Sequence, residues 1–155
     1  MEHKIIDAKE VVIRFTGDSG DGMQLTGTLF ADASALYGNE ISTFPDYPAE
    51  IRAPQGTVAG VSGFQVHIGQ TEVKTPGDFC DVLVAMNPAA LKANAKWAKP
   101  GASIILDENS FDEKGLEKAG FETNDPIEEM NLKDYHIVWA PITSLTEESL
   151  KDSGL

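Results

Sequence analysis

The chain has 155 residues, 41% of them apolar, and a formal net charge of −13. That length suits one domain with a proper hydrophobic core, and the composition excludes a disordered chain. The charge excludes a duplex or membrane-surface binder, because those need a basic stripe and none is present; a single cysteine, Cys80, excludes an intramolecular disulfide and a metal cluster held by this chain's cysteines.

Residues 1–10, MEHKIIDAKE, read as a polar lead-in without an apolar signal core. No apolar run approaches membrane-spanning length, and the expectation is a cytoplasmic protein. Residues 11–15 are rich in β-branched side chains and give a first buried strand. Gly17, Gly20 and Gly22 follow. A helix is predicted over residues 22–37, with Leu25, Leu29, Ala33 and Leu36 as its inward stripe. Asp21 is placed to cap it, with Gln24 three residues on. Residues 40–44 form a second strand, and the natural unit is strand–helix–strand with a parallel pair. Residues 45–57 hold three prolines and a glycine, which forbids a regular element. Tyr47, Glu50, Ile51 and Arg52 lie inside this stretch, and long ordered loops of this kind tend to be functional.

Further on, Phe64, Val66 and Ile68 alternate with Gln65 and His67, which describes a strand with one solvated or partner-facing side. Gly69-Gln70 gives a turn, after which residues 71–75 are expected to return as an antiparallel strand. Residues 81–86 are a buried strand, and Pro88 opens a helix over residues 88–98. Residues 103–106 are another core strand, residues 111–119 a short helix, and residues 135–140 the last strand. Ser144 or Thr146 is expected to cap a final helix too short to stand unpacked. The ending suggests a piece of a longer polypeptide. Residues 106–155 carry 13 acidic and 4 basic side chains, an excess that keeps a protein soluble or faces a basic partner. The whole predicts an α/β class: a three-layer, Rossmann-like domain with a mostly parallel sheet and one antiparallel hairpin.

In such sheets ligands sit at the carboxyl ends of the strands. The strand, glycine turn and helix start over residues 11–29 form a potential anion cradle of free backbone N–H groups. Its order is G-x-x-G-x-G, however, not the dinucleotide G-x-G-x-x-G, and the G-K-[ST] ending of a P-loop is missing. Asp18 and Asp21 beside it would also repel a phosphate. The candidates are Gly17, Ser19, Gly20 and Gly22, either as a binding turn or as glycines that only permit close strand–helix packing. Glu50 and Arg52 alternate on an extended segment and can face one partner. Arg52 either clamps an anion or pairs with Asp18 or Asp21. His3, His67 and His136 show no metal-ligand spacing. Ser19 fails the nucleophile-elbow spacing, Cys80 reads as a small buried hydrophobe, and Trp97 and Trp139 read as core or interface aromatics. No catalytic set emerges from the residues.

Three segments together are more specific than any one of them: FTGDSGDGMQLTGTLFADA, FPDYPAEIRAPQGTVAGVSGFQVHIG and TPGDFCDVLVAMNPAAL. They resemble the gamma domain of the 2-oxoacid:ferredoxin (acceptor) oxidoreductases, most closely the form fused ahead of the thiamine domains in a 2-oxoglutarate enzyme's alpha subunit. The resemblance spans about residues 11–150, and it implies that residues 11–155 are that gamma domain, truncated at its C-terminus. It further implies a complex that decarboxylates a 2-oxoacid oxidatively to an acyl-CoA and passes electrons to ferredoxin. Thiamine diphosphate, magnesium and iron–sulfur clusters would sit on other parts of that complex, with none in this fragment. The implied partners are the downstream thiamine domains and a beta subunit. The implied role of this domain is to pack on them and to border the coenzyme A approach, with Gly17–Gly22, Glu50 and Arg52 as the residues to watch. A stand-alone nucleotide-binding domain and a pure interaction module remain the rival readings. A homodimer is also open, through the strand face around Gln65 and His67.

Overall fold

A computed structural model describes residues 8–46 and 60–151. The elements are β1 (Glu10–Asp18), α1 (Met23–Leu36), β2 (Glu40–Asp46), β3 (Val61–Gly69), β4 (Cys80–Ala85), α2 (Pro88–Asn94), β5 (Ala98–Asp107), α3 (Glu113–Lys118), α4 (Pro126–Glu129), β6 (His136–Ala140) and α5 (Ile142–Leu150). One 3-10 turn, Ala95–Trp97, joins α2 to β5. The strands form one sheet in the order β2-β3-β1-β4-β5-β6. Pairings of β1 with β4, β4 with β5 and β5 with β6 are parallel. β3 alone runs the other way, antiparallel to both β1 and β2.

The predicted parallel pair is therefore corrected. β2 does run in the direction of β1, but β3 lies between them. A strand between two others in a sheet covered on both sides is buried on both faces. β3 meets this, with Phe64, Gln65 and Val66 all buried. The antiparallel strand is thus β3 itself, and residues 71–75 form no strand. They belong instead to a loop that folds back over the Gln65 side. Gln65 Nε2 donates to the carbonyls of Pro76, at 2.9 Å, and Gly77. His67 Nδ1 lies 2.6 Å from the Thr75 carbonyl oxygen. Gln65 is only 2% exposed, so the solvated face expected there is covered, and with it goes the reason for self-association through it.

Side-chain alternation splits the core into two layers around the sheet. Phe15, Phe64 and Val66 meet Met23 and Ala31 of α1 on one side. Leu83, Ile104 and Leu106 meet Ala90 and Leu91 of α2 on the other. The stripe assigned to α1 is the wrong face. Met23, Gly27 and Ala31 point inward, while Leu25, Leu29, Ala33 and Leu36 are exposed. A Cβ on Gly27 would fall 2.1 Å from the Phe64 ring, so the helix approaches the sheet closely on its small residues and leucines do not fit there.

The remaining boundaries follow local chemistry. Asn87 caps α2 by accepting from the Ala90 N–H at 2.8 Å, with Pro88 behind it in the first turn. α2 stops earlier than predicted, and Lys99, Pro100 and Gly101 lie inside β5. A register shift between its pairings with β4 accommodates them. Asp112 caps α3 through the Gly115 N–H. Asp125 caps the unanticipated α4 through the Glu128 N–H, again with proline in the first turn. α1 starts from Gly22, in the left-handed region at φ 73°, with no side-chain cap. α5 starts from Pro141, not from Ser144 or Thr146. Among the described residues no helix is long and apolar enough to cross a membrane.

Candidate functional site

β1, β2, β4, β5 and β6 share a direction, so their C-terminal ends meet at one edge of the sheet. The turn after β1 lies at its middle. The Asp18 N–H donates to the Asp21 carboxylate at 2.8 Å, and the Asp21 N–H donates to the Asp18 carbonyl at 3.0 Å. The Ser19 N–H donates to the Gly60 carbonyl at 2.9 Å. Asn87 Nδ2 donates to the Asp18 carboxylate at 3.0 Å, so one asparagine caps α2 and ties it to the turn. Gly17 makes room for this arrangement: an added Cβ would lie 2.8 Å from the Asp21 carboxylate oxygen and force that side chain to shift. Among the described residues nothing lies within 4 Å of a Cβ added at Gly20 or Gly22. The structure therefore gathers Gly17, Ser19, Gly20 and Gly22 at one edge, with Asp21 folded into the turn as its internal anion.

Glu50 and Arg52 lie outside the described residues. Residues 46 and 60, on either side of that segment, both belong to this edge. Gly60 holds Ser19, and Asp46 holds the one buried cation of the described sheet, Arg14. Arg14 was missed in the sequence, although a lone arginine in a five-residue apolar run is itself the signal. Its Nε donates to Asn94 Oδ1 at 2.9 Å and its Nη1 to Gln65 Oε1 at 3.1 Å, while Nη2 pairs with Asp46. The guanidinium also lies 5.8 Å from the Trp97 ring centre. It links β1, β2, β3 and α2 beneath the edge.

A second clasp closes the far end. Asp107 is fully buried. Burial alone would push its carboxyl up, but the hydroxyl and N–H of Thr143, the Ser110 hydroxyl and the Asn109 N–H hold it below the usual value of 3.8. Thr143 Oγ1 donates at 2.6 Å, and the Ser144 N–H donates to Asn109 at 3.2 Å. These side chains, not a cap within α5, satisfy the start of that helix.

The other candidates lie apart. Cys80 is buried, donates weakly to the Trp97 carbonyl at 3.4 Å and has its thiol pushed up to about 11 by burial. His136 is exposed, and His3 lies outside the described residues. Among the described residues no three His, Cys, Asp or Glu side chains group as a metal site. An iron–sulfur cluster takes several thiolates, and one buried, protonated cysteine does not fit it. Trp97 packs near Phe79, and Trp139 meets Phe111 edge-on at 5.3 Å.

Fold and edge together define a three-layer α/β domain, with a glycine turn at the carboxyl edge of its sheet. The chain belongs to the pyruvate ferredoxin/flavodoxin oxidoreductase family, whose model matches residues 12–154. It is 52% identical to the 2-oxoglutarate oxidoreductase subunit KorA of Mycobacterium tuberculosis, over 94% of this chain and 22% of that protein. It is 30% identical to the 2-oxoglutarate synthase subunit KorC of Methanothermobacter marburgensis, over 89% of this chain and 67% of that one. The 2-oxoglutarate:ferredoxin oxidoreductase of Magnetococcus marinus, solved with 2-oxoglutarate, coenzyme A and succinyl-CoA bound, superposes with a TM-score of 0.69 at 27% identity, covering 92% of this chain and 22% of that one. The gamma subunit of a Geobacter sulfurreducens keto/oxoacid ferredoxin oxidoreductase shares the fold, with a TM-score of 0.62 at 20% identity, over 92% of this chain and 67% of that one. The family resemblance carried by the three sequence motifs is thereby confirmed, and the chain spans about a fifth of the length of KorA.

Proposed function

We propose that residues 11–155 act as the gamma domain of a 2-oxoglutarate:ferredoxin oxidoreductase, without chemistry of their own. The observation that carries this is the 52% identity to a 2-oxoglutarate oxidoreductase subunit across 94% of the chain. In this reading the domain packs on the thiamine-bearing domains and beta subunit of the enzyme, which together oxidise the 2-oxoacid to an acyl-CoA and reduce ferredoxin. The proposed location is the cytoplasm, in keeping with a free, buried Cys80.

Thiamine diphosphate, magnesium and iron–sulfur clusters belong to the other parts in this account. The contribution assigned to this chain is to border the approach of coenzyme A. Gly17, Ser19, Gly20 and Gly22 are the residues proposed to line it, with Glu50 and Arg52, outside the described residues, as further candidates. Among the described residues, nothing crowds the outer side of Gly20 and Gly22, which favours close approach of a ligand there. The carboxylates of Asp18 and Asp21 make the turn itself a poor phosphate seat, so the anion-binding role falls to Arg52. Substituting Arg52→Ala in the assembled enzyme tests this. The expected result is a KM for coenzyme A raised about tenfold, the loss of one charge-assisted contact, with the KM for 2-oxoglutarate unchanged. Unchanged coenzyme A kinetics would remove Arg52 from the approach.

A further inference from the structure

A helix at the surface of a globular protein normally turns a polar face to water. α1 does not. It holds no basic residue and one acidic residue, Asp32, in a chain with 25 acidic and 12 basic side chains. Leu25, Leu29 and Leu36 fall within about 40° of arc, opposite the Gly27 face that packs on the sheet. They are 64%, 59% and 89% exposed. Tyr37, just past the helix, is 89% exposed as well. With apolar residues on both faces, α1 has the composition of a helix buried on both sides.

Asp32 sets a charge requirement on the occupant. It is exposed in the same seam, completing the spacing 25–29–32–36 of four, three and four residues, and it forms no ion pair among the described residues. This chain covers 22% of the length of a relative to which it is 52% identical, so the remainder of such a protein is at hand to cover the seam without a second copy. A partner that supplies a lysine or arginine at that point satisfies the carboxylate. The face also begins at the glycine turn, because Leu25 lies in the first turn of α1. A partner seated on it lies beside the candidate edge.

We infer that the outer face of α1 is the surface by which this domain docks on the remainder of the oxidoreductase, in an apolar groove that carries one basic side chain opposite Asp32. This rests on the function proposed above. The experiment co-expresses the 155-residue chain with the thiamine-bearing part of its enzyme and measures their association by sedimentation, for the wild type, Leu29→Glu and Asp32→Lys. The exposed positions leave the fold intact, and the thermal unfolding midpoint of each variant checks this. The expected result is association for the wild type and a loss of at least about tenfold for each variant, the scale of one buried leucine or one repelled charge. Failure of the wild type to associate would end the proposed function itself. Association of the wild type with no loss in either variant would overturn this surface alone. A Leu29-dependent dimer of the isolated chain would overturn it in favour of a second copy.

Discussion

Replacing Arg14 by methionine tests the buried polar link beneath the edge. The Arg14 side chain is 7% exposed and that of its partner Asp46 is 45% exposed. Asn94 and Gln65 are 5% and 2% exposed. Methionine keeps most of the apolar stem but leaves the oxygens of Asn94 and Gln65 without the donors now at 2.9 and 3.1 Å. Each stranded acceptor costs about 1–3 kcal/mol. Asp46 regains water, so its lost ion pair adds no more than about 1 kcal/mol. Packing of the new side chain offsets part of the sum, and the net expected cost is about 2–5 kcal/mol. At about 2–4 °C per kcal/mol for a chain of this size, the unfolding midpoint should fall by roughly 4–20 °C. Thermal unfolding followed by tryptophan fluorescence reads it directly, since Trp97 lies beside the guanidinium, and a urea titration on the same signal gives the free energy. Asp46→Asn keeps an acceptor at the half-exposed position and is expected to cost about 1 kcal/mol or less. A wild-type midpoint for Arg14→Met would refute the reasoning, because those two acceptors would then have found other donors.

Gly27→Ala should destabilise by about 1–3 kcal/mol in the same titration, despite alanine's better helix propensity, because its methyl group meets the Phe64 ring. Asp107, held low in the folded state, stabilises fully above its unfolded value of 3.8, and that contribution drains away as pH falls through the lower folded value. Stability measured against pH should therefore drop below about pH 4 in the wild type, and Asp107→Asn should be less stable at pH 7 with a flatter acid limb. Cys80, its thiol pushed up to about 11, should resist a thiol reagent at pH 8 in the folded protein and react once denatured; rapid labelling of the native chain would contradict its burial.

The fold class was legible because strands and helices alternate with clear punctuation. Residues 82–86 and 104–106 are continuous apolar runs, and Asn87-Pro88 is an unmistakable helix start. The order of the strands was not legible. Whether β3 inserts beside β1 depends on what covers Gln65 and Arg14, and those contacts join residues 32 to 80 positions apart. The α1 face was misread for a related reason. Periodicity finds an apolar stripe, but close approach to a sheet selects glycine and alanine, and Gly27 and Ala31 carry no periodic signal. α4 was readable in retrospect, since Asp125-Pro126 before Glu128 and Glu129 is a cap, a first-turn proline and two dipole-favoured acids. At the edge, the glycines announced a turn, yet the Asp21 carboxylate that fills it and the Asn87 that braces it became visible only once the strand ends were brought together.

The central claim is that this domain completes an enzyme whose chemistry lies elsewhere. The most direct measurement is 2-oxoglutarate- and coenzyme A-dependent reduction of a viologen dye, taken on the 155-residue chain alone, on the thiamine-bearing part with its beta subunit, and on the two reunited. The expected outcome is no turnover from the chain alone and coenzyme A-dependent turnover only after reunion. Turnover by the isolated chain, or full coenzyme A-dependent activity without it, would contradict the account.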